Sequence, residues 1–315
     1  VEKLVEKIRE KGEEWYREHI SWKIAETACK ALLSEAACAP KPGLVDLTGS
    51  GSHADMDFYT FIKSSASLYR TFFKIAQTGY DYSDRPLPEM LPALQIIGIE
   101  GEKEMYEATE GVNTHKGLIY SMGLLSAAAG YLCAKHKEKI TAEKICSSAG
   151  VIIAVHTADY LAELEKKGEG TNPTAGEKLF IRHGITGARG EAAGGFKSAL
   201  KAFRRLEADL SDGRDFNLSL LDTLMHIMEE AQDTNIPGRK DISYLNFINR
   251  EAEKFNKEGG VFSENGFDGP AALKKLDRLF IEKNLSPGGC ADILALSIFL
   301  YYIEHDLDPV IFSDY

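Results

Sequence analysis

The sequence predicts an all-α protein. Apolar residues recur at helical spacing through most of the chain. No strand alternation, strand–helix–strand rhythm or internal repeat interrupts them. Residues 117–134, GLIYSMGLLSAAAGYLCA, carry no charge and read as a central buried helix. Pattern counting gives about ten to twelve helices. No strong linker divides residues 1–315, so one large multi-helix domain is expected, with Gly-rich polar loops at helix ends forming a cleft.

Residues 2–18 alternate in charge like an exposed amphipathic helix. Residues 21–39 form a second, with Ile24, Ala28, Ala31, Leu32 and Ala36 at helical spacing, ended by Pro40. Residues 41–57, KPGLVDLTGSGSHADMD, are a long polar loop of the kind that often bears function. Ser52 or Asp55 suits the cap of a helix over 55–78, whose broad face carries Phe58, Phe61, Ile62, Leu68, Tyr69 and Phe72. A helix over 89–110 follows, with a bend or break expected at Gly98 and Gly101. Glu100, Glu104, Glu107 and Glu110 share one solvated side, and Glu102 points elsewhere.

In the central run, Gly123, Ala127 and Gly130 permit close helix packing. Its length approaches a membrane span, but its Gly, Ala and Ser content and its isolation favour a protein core. The next helix, 141–167, is expected to bury Ile145 to Val155, with His156 as a core histidine. The Gly-dense stretch 168–196 holds Arg182, His183, Arg189 and Glu191 and opens a helix running to about 209. A helix over 217–232 ends in Asp233-Thr234-Asn235, with Arg239 beyond. Helices over 239–258, 270–284 and 286–303 complete the chain, the last with Asp292 in its first turn.

The net charge of −11 argues against broad nucleic-acid binding, which needs a basic footprint. Five cysteines without CxxC spacing suggest neither a disulfide framework nor a zinc site, and a reducing cytoplasm suits them. The charged N-terminal residues do not resemble a signal peptide. A homodimer is compatible with so many apolar faces.

The most pointed stretch is TEGVNTHKGLIYSMGLL, residues 109–125. Asn113-Thr114-His115-Lys116 stands against an uncharged helix start, bracketed by Gly111 and Gly117. Free N–H groups, the positive dipole end, a lysine and a titratable histidine suit an anion, most often phosphate. The same residues also make an ordinary capped helix start. Arg189 in a helix's first turn opposes the dipole, which suits pairing with an acid or a phosphate. No Walker loop GxxxxGK[ST] and no GxGxxG is present, so a nucleotide site would be built differently.

Seven pieces in order, KPGLVD, GSHADM, Glu102 with Met105 and Thr109, GVNTHKG, HGITGARGEAAGGF, DTN with a following Arg, and SPGGCAD, resemble the triphosphoribosyl-dephospho-coenzyme-A synthase family. The resemblance spans about residues 25–300, which divides the chain into an N-terminal helical extension, 1–20, and a catalytic core, 21–304. One departure is Cys290 in SPGGC, where the family often has Ser.

The resemblance implies a transferase. A ribose hydroxyl of 3'-dephospho-coenzyme A attacks C1 of the ATP ribose, adenine leaves, and the triphosphate stays on the transferred sugar. The product is the prosthetic-group precursor of the acyl-carrier subunit of citrate lyase or malonate decarboxylase. A downstream transferase and the acyl-carrier protein are then indirect partners.

Cleaving an N-glycosidic bond builds positive charge on the ribose, which a carboxylate stabilises. The triphosphate calls for cations and Mg²⁺, which takes carboxylates plus phosphate oxygens. On this basis Glu102, Glu191, His53 and His183 are the acid–base candidates. Lys41, His115, Lys116 and Arg189 are assigned to phosphates. Ser52, Asn113, Thr114, Gly117, Gly190, Asn235, Arg239, Ser286, Gly288 and Gly289 complete the substrate site. Asp46, Asp55, Asp233 and Asp292 are candidates for Mg²⁺ or the reacting ribose. Two competing readings are an N-glycosidase-type hydrolase that releases adenine to water, and a non-catalytic helical nucleotide-binding scaffold.

Overall fold

The computed structural model describes residues 2–135, 139–167, 181, 187–230 and 242–307. Among these every regular element is helical, and the nearest approach to a strand is an isolated bridge between Asp46 and Gly49. The helices are α1 (Glu2–Ala37), α2 (Phe58–Ser67), α3 (Tyr69–Asp81), α4 (Leu91–Ala108), α5 (Lys116–Lys135) and α6 (Ala142–Lys167). After them come α7 (Gly187–Ala193), α8 (Lys197–Ser211), α9 (Phe216–Glu230), α10 (Ile242–Glu258), α11 (Gly269–Glu282) and α12 (Gly288–Asp306). A 3₁₀ turn, Leu87–Met90, precedes α4.

α5 is the axis of this arrangement. Fifteen of its residues are buried, from Leu118 to Cys133. It packs against α3, α6, α1 and α4. An added Cβ on Gly79 of α3 would lie 2.0 Å from the Ala127 carbonyl oxygen. One on Gly130 would lie 2.1 Å from the Ala76 carbonyl oxygen. The two backbones therefore meet at contact distance, which only glycine allows. The small residues expected to admit a neighbour do so, and α5 is a core helix of this fold.

Several boundaries differ from expectation. α1 runs unbroken through residues 19–21, because no Gly or Pro interrupts His19-Ile20-Ser21. Its buried stripe is the expected one, Ile24, Ala28, Ala31, Leu32 and Ala36, with Ile20 added. The predicted 55–78 helix is two helices that meet at Leu68, so the intended apolar face is split. α2 buries Ser64 and Ser65, while Ile62 is exposed. Asp57 caps α2, in place of Ser52 or Asp55: its carboxylate accepts from Thr60 N at 2.9 Å, and Thr60 Oγ1 accepts from Asp57 N.

α4 continues through Gly98 and Gly101. The absent side chain at Gly101 admits Thr71 of α3, whose Cγ2 would be 2.5 Å from a Cβ there. On α6, Val151, Val155 and His156 are exposed, so His156 is no core histidine. The helix expected to run unbroken to 209 stops at Gly194-Gly195 and restarts as α8, with Phe196 at φ 54°. Asp292 lies one turn inside α12 rather than in its first turn.

Candidate active site

The loop 41–57 is built from its own backbone before it serves anything else. Asp46 is buried, and its Oδ1 accepts from Thr48 N at 2.7 Å, Thr48 Oγ1 at 2.7 Å and Gly49 N at 3.0 Å. Its Oδ2 accepts from Lys41 N at 2.8 Å. Both oxygens are engaged by the turn, and Asp46 is not among the residues lining the cavity beside Glu35, so it is not placed as a Mg²⁺ ligand there. Ser52 is likewise a strap: its hydroxyl donates to the Leu285 carbonyl at 2.6 Å, tying the loop to the entrance of α12. Gly43, at φ 71°, passes so close that a Cβ would lie 2.2 Å from the same carbonyl oxygen.

Lys41 is 1% exposed. Its ammonium donates to the Glu35 carbonyl at 2.7 Å and to Glu35 Oε1. An ammonium this deep needs a partner, because an uncompensated buried charge is strongly destabilising. Lys41 therefore holds Glu35 rather than a phosphate. Burial pushes the Glu35 carboxyl up, and the Lys41 charge opposes that rise.

Glu35 faces a cavity of about 150 Å³. That space is below the roughly 300–1,000 Å³ that encloses a drug-sized ligand, so it suits one end of a larger substrate. Loop 41–57, α2, the start of α5 and the start of α12 all meet here. Its polar lining is Asn113, Thr114, Lys116, Gly117, His53, Ser286, Gly288 and Asp292. Its apolar lining includes Leu44, Val45, Met56 and Phe61. Nine of the residues singled out in the sequence thus share one cavity, His115 among them.

Local geometry gives each of these a definite state. Asn113 Oδ1 accepts from Lys116 N at 3.3 Å, capping α5. Lys116 pairs with Glu102 at 3.0 Å, and this hydrogen bond raises the lysine pKa. Glu102 therefore stands beside the cleft through Lys116. His53 Nε2 meets Ser286 Oγ at 2.7 Å, and its Nδ1 lies 3.5 Å from Asp55 Oδ1 at the exposed rim. A Cβ on Gly117 would lie 3.3 Å from Asp292 Oδ2, so the glycine lets that carboxylate close on the start of α5.

His115 differs most from expectation. It is 3% exposed, and burial aided by the Lys41 charge pushes its pKa down to about 3. It is a neutral ring at ordinary pH and supplies no switchable positive charge to a phosphate.

Three further candidates lie on α7, outside the cavity lining. Glu191 accepts from Ser198 N at 2.6 Å, Ser198 Oγ at 3.0 Å and Ala199 N at 3.2 Å, so it caps α8 and is not placed as an acid or base of the cavity. Glu191→Ala is expected to cost about 1 kcal/mol of stability, as loss of a helix cap does, with turnover per folded molecule unchanged. Urea unfolding and a turnover assay together check this. Arg189 stands over the Tyr160 ring, its guanidinium carbon 4.1 Å from the centroid, and Gly190 lies beside it in α7. Cation–π stacking satisfies the arginine that the dipole disfavours. His183, Asp233, Asn235 and Arg239 lie outside the described residues. Gly289 lies in the first turn of α12.

Among the described residues, no group of three or more His, Cys, Asp and Glu side chains forms a metal cage. Mg²⁺ needs fewer protein ligands, since it usually keeps waters and phosphate oxygens. Asp292 is the metal candidate that lines the cavity. All five cysteines are free thiols. Sequence reading missed Glu35 and Ser64, which sit in ordinary amphipathic helices with no local motif to mark them.

A helical frame brings a lysine, a helix start, two histidines and two carboxylates to one partly apolar cleft, the arrangement of an enzyme site. Residues 21–309 match the family model CitG, described as ATP:dephospho-CoA triphosphoribosyl transferase, and the chain belongs to that family. Relatives named 2-(5''-triphosphoribosyl)-3'-dephosphocoenzyme-A synthase align along most of its length. The Escherichia fergusonii protein is 39% identical over 88% of this chain and 89% of its own. The Klebsiella pneumoniae protein is 39% identical over 86% and 87%. The Pectobacterium atrosepticum protein is 39% identical over 91% of both chains.

Proposed function

We propose that the cavity between loop 41–57, α5 and α12 is where this chain joins the triphosphoribosyl group of ATP to a ribose hydroxyl of 3'-dephospho-coenzyme A. Adenine is the leaving group. The observation that carries this reading is the meeting of separate family motifs, GSHADM, GVNTHKG and SPGGCAD, around one cavity. Lys116 and the first N–H groups of α5 suit the triphosphate. Glu35 and Asp292, the carboxylates of the cavity lining, suit the electron-poor ribose carbon. His53, bonded to Ser286, is the candidate to take the proton of the attacking hydroxyl. Mg²⁺, held by Asp292 with phosphate oxygens and water, would neutralise triphosphate charge when bound.

The product would serve a downstream transferase that loads an acyl-carrier protein of citrate lyase, in a cytoplasm that suits five free thiols. Chromatography of the protein incubated with ATP, Mg²⁺ and 3'-dephospho-coenzyme A tests the reading. Adenine release that requires dephospho-coenzyme A, with a triphosphoribosyl adduct by mass, is the expected result. Adenine released from ATP without it would identify a hydrolase instead. No adenine in either case would leave a binding protein.

A further inference from the structure

Thr114 and His115, which line the cavity, are joined by hydrogen bonds through Ser64. Thr114 Oγ1 donates to Ser64 Oγ at 2.7 Å. Ser64 Oγ lies 2.6 Å from His115 Nδ1. Ser64 has one proton to give; when it goes to Nδ1, Nδ1 is the acceptor and Nε2 carries the ring hydrogen. That Nε2–H is buried and has no hydrogen-bond partner among the described residues. A buried donor left unmade costs the protein its desolvation penalty, so its retention at a cavity wall calls for an explanation.

The surroundings name the kind of acceptor. His115 meets Phe61 edge-to-face, with centroids 5.0 Å apart. Phe61, Met56, Leu44 and Val45 all line the same cavity. A flat, apolar group that bears a hydrogen-bond acceptor fits beside them. A phosphate does not, because it would lose hydration there without gaining a charged partner.

Resting on the transfer reading above, we infer that the cavity holds the adenine of ATP beside His115, whose ring is the Nε2–H tautomer and donates to N3 or N7 of the base. In the transfer, the C1–N9 bond of ATP breaks and its electron pair goes to adenine. The acceptor hydroxyl oxygen bonds to C1 and loses its proton, while adenine gains one. Charge builds on the base before that proton arrives. An uncharged donor already in place strengthens its bond as that charge grows, which favours the transition state over the ground state. Ser64, held by Thr114, is a positioning residue: it keeps the hydrogen on Nε2.

The test compares ATP with 7-deaza-ATP and 3-deaza-ATP, each missing one ring acceptor, in wild type and variants. Deaza bases leave more slowly on any enzyme, so the readout is the ratio of kcat/KM for ATP to that for each analogue. In wild type one analogue is expected to be discriminated about tenfold more strongly than in His115→Phe, the size of one lost hydrogen bond. His115→Gln, which keeps a donor near the Nε2 position, should restore most of the discrimination. Ser64→Ala should lose part of it. A variant that merely packs badly would lower kcat/KM for ATP and analogue alike and leave the ratios untouched. Equal ratios in wild type and a folded His115→Phe, for both analogues, would overturn the inference while leaving the transfer reading intact. Absence of adenine release from wild-type protein would instead remove the transfer reading.

Discussion

Lys116→Ala is expected to raise the KM for ATP about 10- to 100-fold, as loss of a charge-assisted hydrogen bond does. Lys116 is the lysine in the cavity lining, and its backbone N–H is fixed by Asn113 at the start of α5. Before substrate arrives, its ammonium rests on Glu102 at 3.0 Å. Both partners are partly solvated, so the pair contributes little to stability, on the order of 0–1 kcal/mol. The melting temperature of Lys116→Ala should therefore stay near that of wild type while ATP affinity falls. Glu102→Gln removes the charge that opposes the lysine and should lower the KM for ATP or leave it unchanged. Calorimetric titration with ATP reads both variants. An unaltered ATP affinity in Lys116→Ala would remove this lysine from the triphosphate site.

The helical frame was legible because the signals that define it are local. The uncharged 117–134 run and the 24–36 stripe needed no knowledge of distant residues, and both are buried as read. Loop 41–57, the start of α5 and the SPGG turn were marked by Gly, Pro and clustered polar residues. What local sequence could not convey was the destination of each polar side chain. Lys41 and Asp46 look like ligands in a Gly-rich loop, yet one neutralises Glu35 and the other is consumed by its own turn. Glu191 reads as an acid–base group until α8 is seen to begin at the residues it caps. Glu35 and Ser64 carry the opposite error. They sit at unremarkable helix positions and matter through residues that fold against them, Lys41 six positions on and His115 fifty-one positions on. The charge state of His115 also escaped, because burial is a property of the fold.

Gly130→Ala is expected to destabilise the fold by about 3 kcal/mol, at the upper end of what overpacking costs. The new methyl would lie 2.1 Å from the Ala76 carbonyl oxygen and 3.2 Å from Tyr80 N, both backbone atoms of α3. No rotamer change relieves such a contact, so α3 and α5 must separate. The reciprocal contact at Gly79, 2.0 Å from the Ala127 carbonyl oxygen, opens at the same time. α5 also carries Lys116 and Gly117 into the cavity, so turnover should fall in the molecules that remain folded. Gly98→Ala is the matched control. It lies inside α4 with no atom within 4 Å of an added Cβ. There the same methyl should stabilise by roughly 0.5–1 kcal/mol, because alanine is the better helix former. Urea unfolding of the two variants separates the effects: opposite signs are required if close helix approach, rather than helix propensity, explains the glycines of α3 and α5. A Gly130→Ala protein as stable as wild type would mean that the two helices have room to spare, and that the position of the α5 start is set elsewhere.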